Sequence, residues 1–407
     1  MTDNVIILGA GSSVEAGVPL LGNFVDQMLE YGFKGKAHNK DLSSEDKTIF
    51  AEAMKVRNEL DGYHGRAAFD DRNIEDILSI LAFNLMAGGE TEREKLEWMT
   101  KAIARTIELS TKVKFDNNQI DKIQKVEGVE VYKNFWQKLF KRFSNQNDFP
   151  TIITFNYDLV LERSLFHLLI NTHYNAHNEN LFPFDGISLK YYYDVLAPFF
   201  YKVNQTIYSQ AGDIGIENLG GTNISLCNQI DLERPANIEL LKLHGSINFP
   251  NRISHESTKP IIPTDSVENA YILPPLPNKG LLGEQIEIWK VALERLREAK
   301  NIVIVGYSLP RTDIYMQYFF KAGLGPNVNL NKITVFNPVL FRNKLDTMDP
   351  ECKAMEERYS SCFSPQLKER IVFRPSYLKL NNIKEELAGT FRHFVQSINN
   401  DSIGLFF

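Results

Sequence analysis

An α/β fold built on a parallel sheet, interrupted by a large helical insertion, is the architecture this sequence predicts. Three observations carry the prediction. Val5-Ile6-Ile7-Leu8 is an unbroken apolar run, the pattern of a strand buried on both faces. It leads straight into Gly9-Ala10-Gly11-Ser12-Ser13, and then into Leu20, Leu21, Phe24, Val25, Met28 and Leu29 at helical spacing. Strand, glycine turn and helix thus come in sequence. Four later apolar runs also close on polar turns, so five strand-to-turn units converge on one rim.

The first unit is the most informative. Its glycines permit close backbone approach and φ > 0. A helix starting at Ser12 or Ser13 would turn its free N–H groups toward the same spot and favour a phosphate. A tight turn with no ligand is the plain alternative. In the G-x-G-x-x-G pattern the third glycine would stand at position 14, where this chain has Val14, so the ordinary dinucleotide fingerprint is broken.

Residues 35–63 are polar and read as irregular or partly helical. From Asn73 to Lys112 the pattern is helical, with Ile74, Ile77, Leu78, Leu81, Leu85, Leu96, Met99, Ile103 and Ile107, and Gly88-Gly89 separating two helices. A further helix over 129–143 gathers Trp136, Leu139, Phe140 and Phe143 on one face. Lys138, Lys141 and Arg142 lie opposite and read as a solvated face. Residues 35–149 are therefore expected to form a helical insertion.

The sheet resumes at Thr151-Ile152-Ile153-Thr154, whose turn carries Asn156 and Asp158 before the helical LVLERSLFHLLI. Beyond the carboxyl end of a parallel strand both would face a ligand, yet Asn and Asp are also preferred helix N-caps. Leu240 to Leu243 ends in His244-Gly245-Ser246. A lone His is usually structural, and it is also the side chain best suited to proton transfer near neutral pH. Asn301 to Val305 ends in Gly306-Tyr307-Ser308, with Asp313 following, and Lys332 to Phe336 ends on Asn337. The tail holds a strand-like IVFRP, an amphipathic run over 383–398 and a terminal Leu405-Phe406-Phe407.

At 407 residues the chain is long enough for two or three domains, or for one enlarged by insertions. Its net charge of −6 argues against a general nucleic-acid clamp, so direct nucleic-acid binding is not expected. Cys227, Cys352 and Cys362 stand apart without a C-x-x-C pair, so neither a four-ligand zinc site nor a disulfide framework is expected. No basic n-region opens the chain, and no apolar run nears the roughly eighteen residues of a membrane helix. The expected location is cytoplasmic.

Taken together, GAGSSVEAGVP, TFNYD, LHGS, GYSL and the late FNP resemble the sirtuin family, with its Rossmann-like sheet. The resemblance is closer to the bacterial sirtuin-like NAD hydrolases of antiphage defence. It implies that Gly9, Ala10, Gly11, Ser12 and Ser13 bind NAD, with Gly17 and Pro19 shaping the loop. The family's T-x-N-x-D motif falls on Thr154, Asn156 and Asp158, and its catalytic His-Gly pair on His244 and Gly245. Its Gly-Thr-Ser segment falls on Gly306, Tyr307 and Ser308 with one change, and its adenosine-ribose asparagine on Asn337. On this resemblance Asn156 and His244 are the catalytic residues. The core is 1–34 with 150–345, and 346–407 is an extension offering an oligomer or partner surface.

The departures bear on activity. The family's protein deacylases carry two zinc-binding cysteine pairs after His-Gly, and here that segment has none. Leu20-Leu21-Gly22 replaces their Asp-Phe-Arg. The resemblance thus implies hydrolysis of NAD to nicotinamide and ADP-ribose without zinc. The alternatives are an NAD- or ADP-ribose-binding regulatory module, or a zinc-free deacylase or ADP-ribosyltransferase. Relatives of this size imply a HerA-type hexameric ATPase as partner, and twenty-seven Phe and sixteen Tyr with the helical insertion are compatible with a homo-oligomer.

Overall fold

The computed structural model describes residues 3–62, 70–114, 129–146, 148–170, 174–175, 182–212, 215–251, 261–273, 286–310, 313–342, 349–373, 387–399 and 405–406. The chain opens with β1 (Asn4–Leu8), a 3-10 helix (Ala10–Ala16) and α1 (Leu21–Lys34). A small hairpin, β2 (Lys36–Ala37) and β3 (Lys40–Asp41), precedes four helices: α2 (Ser44–Asp61), α3 (Ile74–Ala87), α4 (Glu90–Ser110) and α5 (Val129–Arg142). Then come β4 (Thr151–Thr154), α6 (Val160–Leu169), β5 (Tyr174–Asn175), β6 (Gly186–Lys190), β7 (Phe199–Gly212) and β8 (Gly215–Leu226). They are followed by β9 (Pro235–Lys242), β10 (Gly245–Pro250), β11 (Ala270–Ile272), α7 (Ile286–Glu298), β12 (Asn301–Val305) and α8 (Ile314–Leu324). The chain closes with β13 (Lys332–Phe336), α9 (Pro350–Ser361), α10 (Pro365–Lys368), β14 (Ile371–Val372) and α11 (Phe391–Ser397).

Among the described residues one ten-stranded sheet runs in the order β14-β13-β12-β1-β4-β9-β6-β7-β8-β5. Neighbours from β14 to β6 pair in parallel, and β7, β8 and β5 extend that edge antiparallel. The architecture is therefore α/β with a mostly parallel sheet, compatible with a Rossmann-like fold. From β1 the chain builds outward through β4 and β9, then returns to lay β12, β13 and β14 on the other side. The order thus reverses between β1 and β12. In open α/β sheets such a switch point opens a crevice beyond the strand ends, where ligands bind.

β1 and β12 are buried at every position, which is why both read as continuous apolar runs rather than alternating ones. The helix expected to grow directly from the glycine turn is divided. A 3-10 helix comes first, and Gly17, at φ 88°, ends it before α1 begins. Residues 35–63, expected to be irregular or partly helical, hold the eighteen-residue α2. Its apolar stripe, Ile49, Phe50, Ala53, Val56 and Leu60, is masked in sequence by the charged residues between.

Packing divides the chain otherwise than at the expected boundaries. Helices α1 to α4 share a second apolar cluster, closed against Leu159, Ile247, Ala270 and Ile272. The helix α5, placed with the insertion by sequence, belongs to the main core around the sheet through Val131, Tyr132, Phe135, Trp136 and Leu139. The tail's apolar residues Phe391, Phe394, Val395, Ile398, Leu405 and Phe406 enter that same core. They are used inside the chain, so the partner surface expected of the tail is not made by them. Residues 383–386 and 407 of the tail lie outside the described residues. The basic face of α5 seats this tail: Lys138 Nζ donates to the Gln396 carbonyl (3.3 Å) and Arg142 Nη2 to the Phe406 carbonyl (2.9 Å). The expectation of a purely solvated face there is corrected accordingly. No described helix is long and apolar enough to cross a membrane.

Candidate functional site

One row of the sheet explains why the motifs meet. Phe336, Val305, Leu8, Thr154 and Lys242 stand in register across β13, β12, β1, β4 and β9. The residues that follow are Asn337, Gly306, Gly9, Phe155 and Leu243, so the five polar turns leave the sheet side by side at its carboxyl edge.

At the switch point the loops after β1 and β12 touch through backbone. Gly9 N donates to Val305 O and Gly11 N to Gly306 O, both at 2.9 Å. Gly306 is at φ +66°, and a Cβ added there would lie 2.4 Å from Ser12 N. One at Gly9 would lie 2.6 Å from the Tyr307 Cα. These glycines are therefore required by loop-to-loop contact, whatever the site binds. Ser12 Oγ donates to Gly9 O at 2.7 Å, and Ser12 and Ser13 are buried whereas Ala10 is exposed. The half-buried Pro19 follows at the entry to α1.

Asn156 reaches across from β4 to this loop. Its Nδ2 donates toward Ser13 Oγ (2.9 Å), Ser12 Oγ (3.2 Å) and Gly9 O (3.2 Å). Thr154 Oγ1 accepts from the Asn156 amide at 3.1 Å, shaping the turn. Asp158 is buried and its Oδ1 accepts from Val160 N at 3.0 Å, a turn bond two residues on that leads into α6, whose N-cap is Leu159 rather than Asp158. His244 is 6% exposed. Its ring lies against both neighbours of Asn156, 5.2 Å from the Phe155 centroid and 6.4 Å from that of Tyr157. The amide side chain and the imidazole are thus brought to one turn.

On the other side of the crevice Tyr307 is buried, packs tilted against Phe155 (centroids 4.5 Å apart) and donates from its hydroxyl to Asp313 Oδ2 at 2.8 Å. Burial, then the Asp313 carboxylate, raises its phenol far above the ordinary range. Burial likewise raises that of Tyr157, with Glu75 and Asp313 adding to it. Both phenols therefore stay protonated and act as donors; the Tyr157 hydroxyl donates to Leu273 O at 3.1 Å. Asn337 is buried with both ends engaged: Nδ2 donates to Tyr307 O (3.4 Å) and Oδ1 accepts from Val339 N (3.0 Å). Ser308 is exposed, and its carbonyl accepts from Arg358 Nε at 3.2 Å.

Three supports were not singled out in the sequence. Tyr132 of α5 donates to Ser12 O (2.7 Å) and accepts from Ala16 N (3.2 Å), bracing the 3-10 helix from below. Arg392 of α11 donates twice to Glu15 Oε2, at 3.0 and 2.6 Å. Lys242, fully buried in β9, is the one with a visible signal, since a lysine inside the apolar run LLKLH must be paired to be buried at all. A separate cavity of about 450 Å³ lies between α2, α4 and residues 266–268. None of the rim residues lines it, and Asp46 holds Arg105 within it at 2.5 and 2.9 Å. Among the described residues no group of three or more His, Cys, Asp and Glu side chains is placed to hold a metal ion.

Comparison with protein-family models and with curated proteins finds no match to the chain.

Proposed function

We propose that this chain is a sirtuin-like NAD hydrolase, cleaving the nicotinamide–ribose bond to release nicotinamide and ADP-ribose. The observation that carries the reading is the junction of the Asn156 amide, the glycine loop and the His244 ring at the switch point of a parallel sheet. Glycine-loop backbone and the Ser12 and Ser13 hydroxyls suit a pyrophosphate. As the glycosidic bond breaks, its electron pair leaves with nicotinamide and positive character develops on the ribose. Asn156 would orient the attacking water or a ribose hydroxyl, and His244 would take the proton as the water oxygen bonds to the ribose carbon. Burial of His244 and Tyr307 supplies the low-dielectric surround in which such groups act strongly. No step needs zinc.

The test is nicotinamide release from NAD by the purified protein, alone and mixed with a HerA-type hexameric ATPase. Wild-type turnover with loss of about two orders of magnitude in Asn156→Ala and His244→Ala is the expected result. Full activity in both variants overturns the assignment. In this reading the activity depletes cellular NAD as an antiphage effector, in a homo-oligomer switched on by its ATPase partner. Mass measurement of the protein with and without the ATPase tests the assembly. A second reading, an ADP-ribose-binding module without turnover, draws on the same Asn156 bonds, because three acceptors already engage both Nδ2 protons. Calorimetric binding of ADP-ribose with no nicotinamide release under either condition would favour it.

A further inference from the structure

A buried charged network lies directly beneath the Asn156 turn. Lys242 ends β9, and both its side chain and that of Glu162 on α6 are 1% exposed. Lys242 Nζ donates to the Asp158 carbonyl at 2.6 Å and to Glu162 Oε1 at 2.8 Å. Tyr191 donates its hydroxyl to the same Glu162 oxygen at 3.3 Å. Asn248 Nδ2 donates to the Tyr191 oxygen (3.3 Å) and to the Pro263 carbonyl (3.0 Å).

Taking two charges out of water costs several kcal/mol per ion, and a well-packed apolar pair of similar volume commonly serves stability as well or better. Stability alone is thus a poor reason for this lysine. What an apolar side chain could not do is hold the Asp158 carbonyl and the first turn of α6 at once. The next carbonyl back, that of Tyr157, accepts from Ile247 N (3.0 Å) and Ser246 Oγ (3.2 Å). Both donors, like Lys242, belong to the segment that carries His244. The far end of the turn is fixed to the glycine loop by the Asn156 side chain. The turn is therefore suspended between two anchors, one at the glycine loop and one at the end of β9 and the turn that follows it.

We propose that Lys242 is a positioning residue, pinning the Asn156–Asp158 turn to the end of β9 that leads into His244 and so setting the spacing of the amide and the imidazole. The proposal rests on the NAD-hydrolase reading for its effect on turnover, but not for its effect on the turn itself. The experiment uses the full chain with Lys242→Met/Glu162→Leu, which removes both charges together, beside Lys242→Met alone. Hydrogen exchange is followed by mass spectrometry over the peptides of the Asn156 turn and of residues 243–248, and kcat and KM for NAD are measured.

In the double variant, exchange at these two segments should quicken about ten-fold or more while α3, α4 and β12 keep wild-type protection. Turnover should fall about ten-fold in kcat with KM within about two-fold, the signature of a misplaced group rather than a lost binding contact. Wild-type exchange at both segments in a folded double variant overturns the proposal, whether or not NAD is hydrolysed. So does wild-type kcat. If the wild-type protein itself releases no nicotinamide, the hydrolase reading fails and the exchange result still decides the role of Lys242. Should the double variant not fold, Ser246→Ala removes one bond to the Tyr157 carbonyl without leaving a buried charge. It should quicken exchange across the turn by about three-fold, and unchanged exchange there overturns the proposal.

Discussion

Replacing Gly306 with alanine tests whether the two loops at the switch point depend on glycine for their contact. Gly306 lies at φ +66°, where an L side chain costs about 1–2 kcal/mol. The added Cβ would meet Ser12 N at 2.4 Å, the Gly11 carbonyl carbon at 2.6 Å and the Gly11 Cα at 2.8 Å. All three are backbone atoms, so no flexible side chain can swing away. The 3-10 helix must move by a sizeable fraction of an ångström, with overpacking of about 1–3 kcal/mol. The two terms add to a destabilisation of about 2–5 kcal/mol. The assay is urea unfolding followed by tryptophan fluorescence, read as a midpoint shift at unchanged slope. Gly22→Ala is the matched control: Gly22 lies in α1 with nothing within 4 Å of an added Cβ. It should be neutral to stabilising by up to about 1 kcal/mol. The reasoning fails if Gly306→Ala unfolds at the wild-type midpoint, or if Gly22→Ala falls as far.

Three more outcomes follow from side chains around this site. Burial lowers the His393 imidazole from 6.5 to about 4, so the unfolded chain binds the extra proton between those values. Stability is full above pH 6.5 and declines as pH falls toward 4, by at most about 3 kcal/mol. His393→Gln should flatten that limb of the pH–stability curve, and an unchanged limb would refute the assignment. Glu239 is set to about 2 from 4.5: burial alone would raise it, and the hydrogen bonds from Arg295, Tyr192 and Thr151 more than offset that. Its contribution is present above pH 4.5 and lost as pH falls toward 2, so Glu239→Gln should unfold earlier at neutral pH and respond less to acid; equal acid sensitivity would count against this. Tyr132→Phe deletes the hydroxyl that serves both Ser12 O and Ala16 N and should cost about 1–3 kcal/mol. On the NAD-hydrolase reading it should also weaken NAD binding through the loosened loop, which calorimetry would register; an unchanged unfolding midpoint would sink the bracing role.

What the amino-acid order determined by itself was the parallel sheet and the set of turns at its rim. Val5 to Leu8 and Asn301 to Val305 read as fully buried strands because a strand flanked on both sides has no polar face to display. Asn156, His244 and Asn337 could be named because each ends such a strand. Their double meanings stayed open, since a helix cap and a ligand contact call for the same residue types; the structure gives Asn337 a capping bond, turns Asp158 onto Val160 N ahead of the Leu159 cap, and sets Asn156 across the glycine loop. Helix α2 and the outer strands β7 and β8 were not legible, because half-polar elements draw their apolar pattern from partners far along the chain.

Only the tertiary structure decided the strand order, with its reversal between β1 and β12, and the seating of the tail on α5. Only it placed Lys242 against Glu162 and Asp158, whose spacing along the chain carries no local signal. A sequence records which groups must be buried or turned. Which of them meet is fixed by long-range packing, because each such contact depends on the placement of elements that no local pattern specifies.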